Sequence, residues 1–195
     1  DDDDDTVQLR QLGRPSHSAN LFNFCQPDRA ESPPRPMWPL ADVDEGNLTS
    51  LEALLDGRTR GAALTALLDA RLEAANHFTL LTCAAWYGQA DAVRLLLESG
   101  ASVGATTGRG STALAIACQD GHVDCVRLLL GANADADQAK DDGATPLFIA
   151  CQKGDVECVR LLLAAGAAVE QAMGDGATPL GIACQKGHLE CARLL

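Results

Sequence analysis

Four histidines and eight cysteines are the residues of this sequence best suited to act as bases, nucleophiles or soft metal ligands. Six of the cysteines form the pairs Cys118/Cys125, Cys151/Cys158 and Cys184/Cys191, with seven residues from one member to the next. That spacing has neither the C-x-x-C of a zinc site nor a redox motif. Inside helical text such a thiol reads as a small buried hydrophobe standing where Ala or Val could. His17 lies near the amino terminus, His77 comes two residues before a Thr, and His122 and His188 each follow a glycine. "GRGST" at residues 108–112 is glycine-rich, but it lacks the G-x-x-x-x-G-K-[ST] of a phosphate-binding loop and no strand precedes it. "NLT" at 47–49 matches a glycosylation acceptor only formally, since no secretory signal accompanies it. No residue is therefore assigned catalysis, and no metal or cofactor is expected.

The elements that would have to position any site come from an unusual composition. Hydrophobic residues make up 47% of the 195 and aromatics only 4%, so the core must be built from Ala, Leu, Val and Cys. Closely packed small helices suit that mixture better than a sheet, where aromatic and β-branched residues dominate. A formal net charge of −12 argues against a nucleic-acid backbone or an anionic membrane surface as partner. No apolar run approaches the ~18 residues of a spanning helix, so no membrane insertion is expected. Many unpaired thiols favour a reducing compartment, the cytosol or nucleus.

Thr79, Thr112, Thr145 and Thr178 recur at one fixed interval, and nine residues after each comes Gly88, Gly121, Gly154 or Gly187. The stretch that follows reads "AVRLLLESGA", "CVRLLLGANA" and "CVRLLLAAGA", and ends as "CARLL". The interval and the text resemble the ankyrin repeat, a unit of about 33 residues with two antiparallel helices, a β-turn and a T-P-L-H-x-A signature. The resemblance covers roughly residues 76 to 195 and implies an all-α solenoid with β-turn fingers. The signature His is missing: its place is taken by Thr82, Ala115, Phe148 and Gly181. Since that His helps tie the turn to the helix in the family, its loss predicts a looser turn.

The same unit follows from elementary rules. Thr145 can cap a helix while Pro146 occupies its first position, where a missing N–H costs nothing. Gly154 supplies the positive φ that turns the chain back. Val156, Val159, Leu162 and Leu163 then recur at helical spacing. Gly100, Asn133 and Gly166 close the second helices, and Asn is the next residue after Gly to tolerate the left-handed region. Two helices of about eight residues are marginal alone, because isolated helices shorter than ~12–15 residues rarely persist in water. Each copy must lean on its neighbour, so stability is a nearest-neighbour sum. Equivalent cysteines then lie about a helix diameter apart, ~10 Å, too far for a shared metal or a disulfide.

The division expected is a disordered acidic and Pro-rich tail at 1–37, a divergent cap with an inserted turn or helix at 38–75, and repeats at 76–108, 109–141, 142–174 and 175–195. The tail opens on "DDDDD", closes on "ESPPRPMWP", and contains "NLFNFCQ", a docking motif or incidental hydrophobes. The first residue is Asp and the last copy breaks off at Leu195, so the expectation is a piece of a longer chain.

What the resemblance implies about function is non-catalytic protein recognition, as scaffold or adaptor, through a concave face of fingers and first helices. An alternative is the recruiting arm of a larger enzyme, channel or ligase. The finger candidates for partner contact are Arg109, Lys140, Asp141, Met173 and Asp175. On the first helices, Trp86 and Tyr87 align with Asp120, Lys153 and Lys186 and the glutamines before them. An aromatic pair in a polar column is an interface anchor, unless Trp86 merely covers the inserted segment beside it. The partner is expected to be a protein, met by a monomer.

Overall fold

Each of the four periodic threonines opens a helix. The computed structural model describes residues 77–195; the expected tail with its docking motif and the divergent cap lie outside them. Among the described residues eight helices follow one another as four pairs. The first of each pair are α1 (Leu80–Trp86), α3 (Ala113–Asp120), α5 (Pro146–Lys153) and α7 (Pro179–Lys186). The second are α2 (Ala90–Glu98), α4 (Val123–Gly131), α6 (Val156–Ala164) and α8 (Leu189–Leu194). The first helices pack in one row, α1 on α3 on α5 on α7, and the second helices in another, α2 on α4 on α6 on α8. This is the all-α stack the sequence predicts, with an isolated antiparallel bridge joining Thr106 to Thr112 in one finger.

Capping explains where these helices begin. Thr112, Thr145 and Thr178 each accept the N–H three residues on, from Ala115, Phe148 and Gly181. Thr79 does the same for Thr82 at 3.2 Å, and Thr82 Oγ1 in return accepts the Thr79 N–H at 2.7 Å. Thr82 stands in the place of the missing signature His, so in this copy a reciprocal capping box ties turn to helix. Phe148, in the same place two copies later, is 2% exposed and secures its turn by packing instead.

The second helices end alike. Asn133 N–H donates to Leu130 O and Ala134 N–H to Leu129 O, the paired bonds of a Schellman motif. Gly100 with Ala101, and Gly166 with Ala167, repeat both bonds. Asn133 has φ +60°, beside +90° and +87° for the two glycines. Asn133→Gly should therefore be tolerated, while Asn133→Val should lower the melting temperature; equal melting would contradict a left-handed requirement. His77 is a second such position. With φ +61° it holds the place that Gly110, Gly143 and Gly176 hold in later fingers. Relief of ~1–2 kcal/mol of left-handed strain exceeds the ~0.5–1 kcal/mol that glycine adds to unfolded-chain freedom, so His77→Gly should raise the melting temperature.

The core is as repetitive as the text. Val93, Val126 and Val159, and Leu96, Leu129 and Leu162, are all fully buried on the second helices. Each contributes ~1.5–3 kcal/mol relative to exposure, largely through surface covered by the adjacent pair. Leu161 and Leu163 are half-buried, forming the broad margin of that apolar face.

Candidate functional site

Three finger turns share one hydrogen-bond pattern. Gly110 donates to Thr107 O, Gly143 to Lys140 O and Gly176 to Met173 O, at 2.9–3.1 Å. Thr107, Lys140 and Met173 in turn donate to Ser111, Ala144 and Ala177, closing each turn on its own strand-like base. Asp142 and Asp175 brace two of them, each accepting the N–H two residues on. Neighbouring fingers also join, since Asp141 N–H donates to Arg109 O at 3.2 Å. The tips lie along one edge, on which Arg109, Asp141 and Asp175 are exposed. Lys140 is half-buried and paired with Asp142 at 3.8 Å. Met173 is 9% exposed, so its side chain serves the base of the finger and not the tip.

The other half of the site lies at the ends of the first helices. In α3 and α5 the first six residues are buried, and solvent reaches only the last two. The last residue before each turning glycine is Tyr87, Asp120, Lys153 or Lys186. Asp120, Lys153 and Lys186 are exposed and Tyr87 is half-buried. Trp86 is half-buried as well, edge-on to Phe78 with ring centroids 5.9 Å apart and planes at 75°. Between the second and third pairs an open cleft of about 500 Å³ is lined by Gln119, Asp120, Lys153, Asp155 and Glu157 among others. Burial holds the Asp120 carboxyl above its ordinary value, and His122 and Lys153 pull it the other way. An acidic and a basic member of the row thus line one cleft.

His122 and His188, which follow turning glycines, each reach back to the preceding helix pair. Neither caps its own helix. His122 Nε2 donates to Trp86 O and His188 Nε2 to Gln152 O, both at 3.1 Å and both reaching back one helix pair. Asp155, in the equivalent place, caps α6 by accepting from Glu157 and Cys158 N–H. The glycines before the previous turn make room: a methyl on Gly88 would sit 2.5 Å from His122 Nδ1, and one on Gly154 2.5 Å from His188 Nδ1. Comparison of equivalent positions in the sequence missed this, because the contact joins non-equivalent places of adjacent copies.

The cysteines make contacts of the same kind. Cys118 faces Cys158 across the interface, and Cys151 lies within electrostatic reach of Cys191. The Cys118 thiol is raised well above its ordinary value, first by the facing Cys158 and then by burial. Burial pushes Cys83 and Cys151 up to about 12 and Cys125 to about 11. These groups stay protonated when folded yet ionise near ~8.5 when unfolded. Their contribution to stability is complete below the unfolded value and is lost as pH climbs towards the folded ones. Native thiol labelling at neutral pH should accordingly modify Cys184 first among the described cysteines, and the melting temperature should fall in alkali. Rapid labelling of Cys118 would contradict the burial.

Among the described residues no three His, Cys, Asp or Glu side chains converge as metal ligands, and no helix is long and apolar enough to cross a membrane. What the arrangement offers is surface: one edge of finger tips and one row of helix ends, rigidly spaced by the stack. A family model described as ankyrin repeats (3 copies) matches residues 84–173 and 114–195. A search of curated proteins finds no match to the sequence.

Proposed function

The chain belongs to the ankyrin-repeat family, and from that membership we propose that it is a non-catalytic scaffold or adaptor that grips a partner protein along the fingers and first-helix ends. Ankyrin repeats generally serve protein–protein interaction. The observation that carries the reading to this face is the column Tyr87, Asp120, Lys153, Lys186: one structural position, repeated by the stack, with its chemistry changed along the column. The core positions, by contrast, are nearly uniform from copy to copy, as the valines and leucines of the second helices show. Trp86 and Tyr87 supply the large amphipathic anchors typical of binding hot spots, while Arg109, Asp141 and Asp175 line the finger edge. Met173 and Lys140 act in this reading as support for the tips. The partner meets a monomeric stack in the cytosol or nucleus, and neither nucleic acid nor a membrane is involved.

The test pairs Tyr87→Ala with Trp86→Ala. The Trp86–Phe78 ring contact adds about 0.5–1.5 kcal/mol beyond area burial, and Trp86 and Tyr87 are both only half-buried, so the double variant should remain folded by circular dichroism. Partners captured by the intact chain should be lost. A folded variant that retains every partner would overturn the assignment of this face.

A further inference from the structure

The row of helix ends has a period as well as a chemistry. Adjacent packed helices lie about 8–10 Å apart, so Tyr87, Asp120, Lys153 and Lys186 present one side chain per such step. A ligand that uses the row must return a side chain to the same face at that interval. A β-strand does not, because its side chains alternate and the third residue along points away. A polyproline II segment does: three residues make one turn with a rise of about 3.1 Å each, so every third side chain faces the same way at about 9.3 Å.

We propose that the row reads an extended polyproline II segment of a protein partner, bearing four side chains at three-residue intervals. Two are acidic, opposite Lys186 and Lys153; one is basic, opposite Asp120; and one is apolar or aromatic, beside Tyr87 and Trp86. This deepens the partner-binding reading above and rests on it. Charge complementarity sets the order. Lys153 and Lys186 are exposed at the ends of α5 and α7, and Asp120 is exposed at the end of α3. Asp120 and Lys153 line the same open cleft. A ligand with base and acid in the matching order adds partners to both charges, whereas the opposite order sets like charges face to face. The buried thiol pairs and the histidine contacts stabilise the stack beneath and keep the interval fixed.

The experiment uses the whole chain and labelled synthetic peptides followed by fluorescence anisotropy. The probe is Asp-Pro-Pro-Asp-Pro-Pro-Arg-Pro-Pro-Leu together with its reversed sequence, since the row fixes side-chain order and not chain direction. One of the two should bind at least about tenfold more tightly than a peptide of the same composition with Arg and the first Asp exchanged. Adding one residue between the two acids should cost a similar factor. Lys153→Glu with Lys186→Glu should abolish the preference, and a peptide with both acids replaced by Lys should restore binding to that variant. Equal binding of ordered and exchanged peptides, or no binding by either direction, overturns the proposal. A random-peptide display on the same chain separates the two levels. Binders that depend on Tyr87 and Lys153 but lack a three-residue interval leave the partner-binding reading intact and sink the polyproline register. An absence of binders dependent on the row sinks both.

Discussion

Gly154→Ala is expected to destabilise the chain in urea denaturation several times more than Gly187→Ala does. The two glycines have nearly the same backbone, φ +78° and +77°, and both end a first helix whose text differs only at Phe148 and Gly181. A side chain in that region costs ~1–2 kcal/mol for the backbone alone, and at Gly187 that is the whole of the expected loss. The two positions differ in what a methyl would meet. At Gly187 nothing lies within 4 Å, whereas at Gly154 the His188 imidazole lies at 2.5–2.8 Å. The ring would have to move, giving up its bond to Gln152 O, a loss of ~0.5–1.5 kcal/mol on top of an overpacking penalty of ~1–3 kcal/mol. Adding His188→Ala to Gly154→Ala should therefore recover part of the loss, an interaction between the two sites that a double-mutant cycle measures directly. Equal costs at the two glycines would mean that the imidazole does not bracket adjacent pairs.

Leu147→Ala and Leu180→Ala form the second comparison. They occupy the same position in adjacent copies, but Leu147 is fully buried and Leu180 is 45% exposed. Truncating a buried Leu costs ~2–5 kcal/mol, and the spread depends on how far the site can collapse. At Leu147, enclosed between the first helices on either side, the upper half of that range is expected. At Leu180 much of the side chain already faces water, so the expected cost falls below the lower end of that range. Thermal melts of the two variants check this. A similar loss at both positions would count against stability as a sum over neighbouring pairs.

Much of this molecule is legible in its sequence because its local chemistry is. Thr145, Pro146 and Gly154 specify a start, a first turn and a stop, each through a bond or a backbone angle within a few residues, and the structure realises all three. Asn133 in the glycine place is legible for the same reason. What escapes is contact between different places in neighbouring copies. His122 reaches Trp86 and Cys118 reaches Cys158, and in neither pair do the partners occupy the same place in their copies. Aligning the copies puts like beside like, so it hides pairs formed by unlike positions. A signal existed in one case: His122 and His188 each stand immediately after the next copy's counterpart of Gly88 and Gly154, the places where a side chain would collide. The candidate contacts divide by the same logic. The exposed members Asp120, Lys153 and Lys186 follow from helix register, but the burial of Met173 depends on how one finger seats beside the next.

In α3 and α5 the last residue before the turning glycine has little part in the core, because the helix has already buried its apolar side. Substitution there is cheap for folding, and this one chain holds Tyr87, Asp120, Lys153 and Lys186 at that place. Duplicating a module would lengthen what is read by one letter, and altering that letter would rewrite it, with the grammar of the stack left untouched.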